Sequence, residues 1–150
     1  MGSKGATLNV GDIMLVGDYL DSSDGWSRLS LESTGLHLYW MGPVFTDRGW
    51  QAWQSGLYAS ASNLFVIMQG DGNLCCYAGT PSAPGRLLWQ CGVAKGPGPA
   101  WYAVIQDDGN FCMYPPTGAP ATWCAGCAKK RNGTVQVLGV SDRKPRCSSR

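Results

Sequence analysis

The chain has 150 residues, which suits one domain, and its 10 acidic and 12 basic residues leave a net charge of only +2. This balance gives no electrostatic reason to expect nucleic acid as a partner. No apolar run approaches the ~18 residues that span a bilayer, so we expect no membrane insertion. The 21 Gly, 9 Pro and 7 Trp are typical of many short strands joined by tight turns.

The N-terminal segment shows no basic region followed by an apolar block, and therefore no secretory signal. A complete chain would be expected in the cytoplasm, and a chain from which a signal had been removed would be extracellular. The apolar residues from Leu8 to Leu20 predict two short strands with a turn at Gly11-Asp12. A further turn follows at 22–25.

The segment from Phe65 to Tyr77 alternates between two residue types. Side chains of an extended strand point alternately to opposite faces, so the pattern predicts a strand with an apolar face of Met68, Leu74 and Cys76. The opposite, polar face carries Gln69, Asp71, Asn73, Cys75 and Tyr77. The same series returns downstream as Gln106, Asp108, Asn110, Cys112 and Tyr114. Two copies of one polar face indicate a repeated binding site.

An earlier copy at 27–40 resembles this segment with one residue missing at the bend of Ser33 to Gly35. It has no clean equivalents of the Asp and the Asn, so we predict that it does not bind the same ligand. Its equivalents of Gln69, Cys75 and Tyr77 are Glu32, His37 and Tyr39.

Each copy is followed by a loop and then by a Trp that has a Gly three residues later. The Trp residues are Trp53, Trp89 and Trp123, which are 36 and 34 residues apart. The first polar positions of successive copies are 37 residues apart, so two landmarks give nearly the same period and indicate a threefold internal repeat. Three small sheets can pack their apolar faces about a pseudo-threefold axis, which the three indoles would fill. The alternative is that these rings lie on the surface and stack on sugar.

The two complete motifs resemble the Gln-x-Asp-x-Asn-x-Val-x-Tyr mannose site of the bulb-type (monocot mannose-binding) lectins, and the period and the Trp-x-x-Gly agree with that family. The resemblance covers residues 8–140. It implies an all-β fold, the β-prism II, with three antiparallel four-stranded sheets around a pseudo-threefold axis. It also implies one lectin domain at 1–140, with repeats near 26–56, 63–92 and 100–126 and N- and C-terminal strands, followed by a flexible tail at 141–150.

In that family the Asp and Asn contact the 2-hydroxyl of mannose, the Gln the 3-hydroxyl and the Tyr the 4-hydroxyl, while the Val packs on the sugar ring. The resemblance therefore implies two carbohydrate-binding sites, in repeats two and three, for mannose or mannose-rich glycans. Cys75 and Cys112 stand in place of the Val; a small apolar thiol keeps ring contact unless it is oxidised or bridged. Family members often dimerise by exchanging the last strand, which makes Thr134 to Val140 a candidate for a homodimer contact.

Amides, carboxylates and phenols suit this ligand because a sugar hydroxyl both donates and accepts hydrogen bonds. The chain has no nucleophile elbow and no phosphate-binding Gly loop, so we predict no enzyme, no catalytic residue, no cofactor and no metal site. The alternative function is a protein-interaction scaffold that keeps the lectin fold with lost or altered sugar specificity.

The seven cysteines leave two further alternatives. Cys124 and Cys127 have the spacing of a thioredoxin-like redox motif, and His37 and Cys147 could join cysteines in a zinc site. The simplest interpretation is buried thiols or a local disulfide, with cross-strand neighbours in repeats two and three as the candidates.

Overall fold

A computed structural model describes residues 2–40, 50–92, 101–118 and 120–125, and all regular elements within these ranges are β-strands. None of these residues lies in a helix long and apolar enough to cross a membrane. The strands are β1 (Thr7–Asn9), β2 (Ile13–Leu15), β3 (Tyr19–Asp21), β4 (Ser27–Glu32), β5 (Gly35–Trp40), β6 (Trp50–Gln54), β7 (Leu64–Met68), β8 (Leu74–Thr80), β9 (Ala83–Gln90), β10 (Tyr102–Ile105), β11 (Phe111–Tyr114) and β12 (Trp123–Cys124).

The strands form three antiparallel four-stranded sheets, as the resemblance to the bulb-type lectins implies. We number the sheets by repeat. Sheet I has the order β3-β4-β5-β6, sheet II β2-β7-β8-β9 and sheet III β1-β10-β11-β12. Each sheet contains three strands of one repeat and one strand from the N-terminal segment. That segment therefore connects all three sheets. The predicted last strand, Thr134 to Val140, and the tail at 141–150 lie outside the described residues.

The N-terminal segment forms three strands, so the prediction of two was wrong. Its apolar residues are interrupted twice, by turns that are built alike. The Asp12 carboxylate accepts the Asn9 N–H at 2.8 Å, and the Asp18 carboxylate accepts the Leu15 N–H at 2.8 Å. Each aspartate satisfies the N–H three residues earlier, which favours a turn over continued strand. Only the first of these turns was predicted.

The predicted strand from Phe65 to Tyr77 is also corrected, because the segment is a hairpin. Strands β7 and β8 pair with each other, and 69–73 forms the turn between them. The Gln69 N–H donates to the Asn73 carbonyl at 3.0 Å, and the Gly72 N–H to the Gln69 carbonyl at 3.1 Å. Gly72 has φ of 89°, a left-handed conformation that side chains disfavour. The third repeat has the same turn at 106–110, with Gly109 at φ of 91°.

The core lies between the three sheets and is built from equivalent positions of each hairpin. Leu29 pairs with Leu38 in sheet I, and both are fully buried. The equivalent pairs are Val66 with Cys76 and Ala103 with Met113, and these residues are also buried. Burying a large apolar side chain contributes about 1.5–3 kcal/mol, so this shared interior is the main source of stability.

The three repeat tryptophans meet at the axis of the molecule, which confirms the axial interpretation. The ring centroid of Trp53 is 5.9 Å from that of Trp89 and 5.7 Å from that of Trp123, and the last two rings are 6.0 Å apart. Each pair is T-shaped, with interplanar angles of 67–72°. Aromatic rings prefer this edge-to-face geometry. The indoles therefore pack the three sheets together at the axis.

Candidate functional site

The hairpin of each repeat places a tyrosine at the same position on the outer face of its sheet. Tyr77 of β8 pairs with Phe65, and Tyr114 of β11 pairs with Tyr102. Tyr39 of β5 pairs with Arg28, which confirms the predicted register of the first, shorter copy. The residue two positions before each tyrosine is His37, Cys75 or Cys112, and the three occupy equivalent positions.

In repeat two, the polar side chains form one connected group. The Tyr77 hydroxyl donates to Gln69 Oε1 at 2.6 Å. Gln69 Nε2 donates to the Asp71 carboxylate, at 3.2 Å to Oδ1 and 3.3 Å to Oδ2. Asp71 Oδ1 also accepts the Asn73 N–H at 3.0 Å, which fixes the carboxylate to the turn. Gln69, Asp71 and Tyr77 are half-buried, so their polar atoms are held in place and still reach solvent.

Asn73 is far less accessible than its three neighbours. Its side chain is hydrogen-bonded within the protein at both ends, because Nδ2 donates to Gln90 Oε1 at 2.7 Å and Oδ1 accepts the Gly92 N–H at 2.9 Å. The residue is 4% exposed. Asn73 therefore fastens the end of β9 to the turn. A ligand hydroxyl would have to share or replace these bonds to reach it.

Repeat three has the same contact between its glutamine and its tyrosine. Gln106 Nε2 donates to the Tyr114 hydroxyl oxygen at 2.6 Å, and Asp108 Oδ1 accepts the Asn110 N–H at 2.9 Å. Asp108 is exposed, whereas Asn110 is 6% exposed and accepts the Phe111 N–H at 3.0 Å. The structure thus brings Gln, Asp and Tyr together in both repeats, and it buries the Asn of both.

Both phenols remain protonated at neutral pH. Burial raises the pKa of Tyr77, and the nearby Cys75 and Asp71 raise it further. Burial also raises the pKa of Tyr114, with Asp108 and Tyr102 adding to the effect. Each hydroxyl can therefore donate one hydrogen bond and accept others.

The cysteines of the two motifs differ in chemical state. Cys112 forms a disulfide with Cys124, its cross-strand partner on β12, so the predicted local disulfide is confirmed for repeat three. The equivalent partner of Cys75 is Gln90, and Cys75 is a buried free thiol whose pKa burial raises to about 11. Cys112 therefore offers a half-cystine where Cys75 offers a thiol.

The alternative cysteine chemistry gains no support from the described residues. The bond to Cys112 engages Cys124, which lies on a strand instead of at the helix N-terminus that activates a thioredoxin-like thiol. No group of three or more His, Cys, Asp or Glu side chains within the described ranges could hold a metal ion. Cys127 and Cys147, which the redox and zinc hypotheses need, lie outside those ranges.

Repeat one has a different polar network at the same place. The Tyr39 hydroxyl donates to Glu32 Oε2 at 2.6 Å, so a carboxylate replaces the glutamine amide. His37 Nε2 lies 2.7 Å from Thr34 Oγ1 and 3.7 Å from Glu32 Oε1, and its Nδ1 contacts Gln51 Oε1. The first repeat thus keeps the tyrosine and a hydrogen-bond acceptor for its hydroxyl, but this acceptor, Glu32, has no N–H to donate.

The residues that support the two turns were not predicted from the sequence. Trp101 packs on Gly72, since a Cβ added there would lie 3.0 Å from the indole ring. Trp40 Nε1 donates to the Gly109 carbonyl at 3.0 Å. Asp107 accepts hydrogen bonds from the Ser23 hydroxyl at 2.9 Å and from the Asp24 N–H at 3.0 Å. Trp40 and Trp101 lie just outside the motifs and were visible in the sequence. Their spacing does not show which turn each of them contacts.

No protein-family model and no curated protein matches the chain. Solved structures do match. A monomeric monocot mannose-binding lectin from Gastrodia elata is 28% identical, with a TM-score of 0.66, over 82% of this chain and 98% of that one. A lectin from Marasmius oreades is 27% identical, with a TM-score of 0.65, over 85% of this chain and 96% of that one.

The snowdrop (Galanthus nivalis) mannose-specific agglutinin, solved with methyl-α-D-mannoside, is 22% identical, with a TM-score of 0.55, over 73% of this chain and 89% of that one. At that identity the likeness concerns the fold alone. Together these structures confirm the β-prism II architecture and the resemblance to the bulb-type lectins that the repeated motif predicts.

Proposed function

We propose that this chain, whose fold and repeated motif are those of the bulb-type lectins, is a non-catalytic lectin that binds mannose or mannose-rich glycans at repeats two and three. The observation that supports this most strongly is the recurrence of one polar arrangement. Gln69 and Tyr77 are joined at 2.6 Å, and Gln106 and Tyr114 are joined at 2.6 Å, each pair beside an aspartate fixed to its turn. The similar lectins from Gastrodia elata and snowdrop are described as mannose-binding and mannose-specific.

The proposed roles follow the resemblance and the chemistry of the groups. Gln69 and Tyr77 receive the 3- and 4-hydroxyls, because amide and phenol each offer both donor and acceptor functions. Asp71 accepts from the 2-hydroxyl, with Asn73 behind it. Net contributions of about 0.5–1.5 kcal/mol for each neutral bond and about 1.5–3 for a bond to a charged group suit a shallow, millimolar site. Two such sites in one chain increase the avidity for a branched glycan.

Repeat one is proposed not to bind mannose. Glu32 accepts the Tyr39 hydrogen and has no N–H to offer, and the turn is too short to carry equivalents of Asp71 and Asn73. A sugar placed there would lose at least one donor and two further partners.

A matched set of three phenol deletions tests the proposal. Titration calorimetry with methyl α-mannoside should show two sites in the parent protein. Tyr77→Phe and Tyr114→Phe should each weaken one site about fivefold or more, since each removes one hydrogen-bonding hydroxyl. Tyr39→Phe is the control and should change neither site. No heat at millimolar mannoside and oligomannoside would contradict the proposal.

The second candidate function is a protein-interaction scaffold on the same fold. The burial of Asn73 and Asn110 favours it, because both side chains already bond within the protein. Exposed apolar side chains at Leu15, Val16 and Tyr58 are also available for protein contact. A folded protein that gives no signal on a glycan array, yet binds a purified protein partner without its glycans, would support this alternative.

A further inference from the structure

The outer face of sheet II carries an apolar groove that extends beyond the proposed mannose site. The groove has a volume of about 420 Å³, within the range of roughly 300–1,000 Å³ that is usual for small-ligand sites. Ile13 and Ile67 of neighbouring strands line it together with Phe65. Pro81 and Pro84 of the β8–β9 hairpin line it as well.

This groove is continuous with the site of repeat two, because Gln69 and Tyr77 line both. These two side chains are hydrogen-bonded to each other at 2.6 Å, and the Tyr77 ring packs 5.9 Å from the Phe65 ring. A ligand that binds Gln69 and Tyr77 through hydroxyls therefore has an apolar space directly beside that edge.

The β8–β9 hairpin is shaped to border the groove. Strands β8 and β9 extend beyond the motif to a turn at Pro81-Ser82, whereas β11 of repeat three ends at Tyr114. Gly79 allows this extension, since it has φ of 92° and a Cβ there would lie 2.5 Å from the Ala83 carbonyl oxygen. The hairpin thus keeps its two prolines, Pro81 and Pro84, beside the groove that the isoleucines line.

Among the described residues, the equivalent positions of the other two sheets carry smaller or more polar side chains. The register places Ser30 and Val104 where sheet II has Ile67. It places Arg28 and Tyr102 where sheet II has Phe65. The Arg28 guanidinium is paired with Asp21 at 2.7 Å, so the face of sheet I is charged at this point.

We propose that repeat two has an apolar subsite for a substituent on the sugar, such as an aryl or acyl group on the 3-hydroxyl edge that faces Gln69 and Tyr77. This inference rests on the proposed function, which sets the orientation of the sugar. The anomeric carbon lies across the ring from C4, so an aglycone would leave from the opposite edge. Repeat two therefore binds an edge-substituted mannoside more tightly than the unsubstituted sugar, whereas repeat three gains nothing from the substituent.

Matched ethers of methyl α-mannoside test the subsite. The 3-O-benzyl ether should bind one of the two sites about five- to tenfold more tightly than the 3-O-methyl ether, since both keep the same hydrogen-bonding atoms and only the benzyl ring fills the groove. Benzyl α-mannoside, with its ring on the anomeric carbon, should show no such gain over methyl α-mannoside. Equal affinities for the two 3-O-ethers, or a gain only with the anomeric benzyl group, would overturn the inference.

Two matched variants assign the gain to sheet II. Ile67→Thr should remove most of it while leaving the affinity for methyl α-mannoside unchanged, and Val104→Thr at the equivalent position of sheet III should leave it intact. A gain that survives Ile67→Thr, or that Val104→Thr removes, would overturn the placement. If the parent protein does not bind methyl α-mannoside at all, the proposed function itself is rejected. Failure of the subsite and failure of the proposed function are therefore distinguishable.

Discussion

In sheet I, Arg28 forms a two-bond pair with Asp21, at 2.7 and 2.9 Å, and its guanidinium lies 3.8 Å from the centre of the Tyr19 ring. In sheet II, the same backbone position is Phe65, which packs under Tyr77 beside an apolar groove. The two hairpins pair in the same register and bury equivalent apolar residues. Two surfaces of opposite chemistry therefore rest on one backbone.

The difference shows which part of the sequence determines the fold. The interior is common to all repeats, because the axial tryptophans and the buried pairs of each hairpin pack against one another. The outer faces contribute little to that packing and can change without disturbing it. We therefore expect ligand specificity to depend on the outer faces, each of which can be altered separately.

Removing an axial indole should have the largest effect on stability, since all three sheets pack against the axial tryptophans. We expect Trp89→Ala to lower the free energy of unfolding by about 3–5 kcal/mol, because Trp89 contacts both other axial rings. Chemical denaturation followed by circular dichroism measures this. Tyr58→Ala, at a ring that is 64% exposed, is the control and should change stability by no more than about 0.5 kcal/mol. Similar losses for both variants would contradict the shared interior.

Removing the disulfide should distinguish sheet III from sheet II. Cys112 and Cys124 are 12 residues apart, so their bond constrains a short loop of the unfolded chain. The double change to alanine should cost about 3 kcal/mol of unfolding free energy and weaken the mannoside site of repeat three alone. Cys75→Ala, at the equivalent free thiol, should cost less and affect only repeat two. Equal effects of the two changes on both sites would argue against independent repeats.

A methyl group on the turn of repeat two should have a smaller effect. Gly72→Ala places a Cβ 3.0 Å from the Trp101 ring at φ of 89°. We expect a loss of about 2 kcal/mol in unfolding free energy, with weaker binding at repeat two. Gly25→Ala is the matched control, since Gly25 has φ of 76° and open space around it, and it should cost about 1 kcal/mol without changing either site. Thermal unfolding and mannoside titration measure both quantities.

Much of this architecture was predictable because the repeated residues are those that fill the core or form turns. The period of the tryptophans gave three sheets and their axis, and the spacing of Gln, Asp and Tyr predicted which side chains would meet. The alternation at 65–77, however, was misassigned to one strand. Asp71 and Asn73, two residues apart, satisfy strand periodicity and turn chemistry equally well, and the turn is identified by the carboxylate bond to the Asn73 N–H and the backbone bonds of Gln69.

Other features depended on contacts between distant segments. Asn73 was expected to face the ligand, but its bonds to Gln90 and Gly92 bury it. The groove of sheet II arises because β2, far away in sequence, supplies Ile13 beside Ile67. Hydrophobic periodicity identifies strands, but it does not say which N-terminal strand joins which repeat.

Alkaline pH should give the smallest effect and again separate sheet II from sheet III. Burial raises the pKa of Cys75 and Cys76 to about 11, whereas a thiol in an unfolded chain has a pKa near 8.5. Between these values the unfolded state loses its protons first, so the stabilisation is complete below about pH 8.5 and is lost as the pH rises towards 11. The bridged Cys112 does not titrate. Denaturation at pH 7.5 and pH 10 should therefore show a smaller loss for Cys76→Ala than for the parent chain, and identical losses would show that the Cys76 thiol does not contribute.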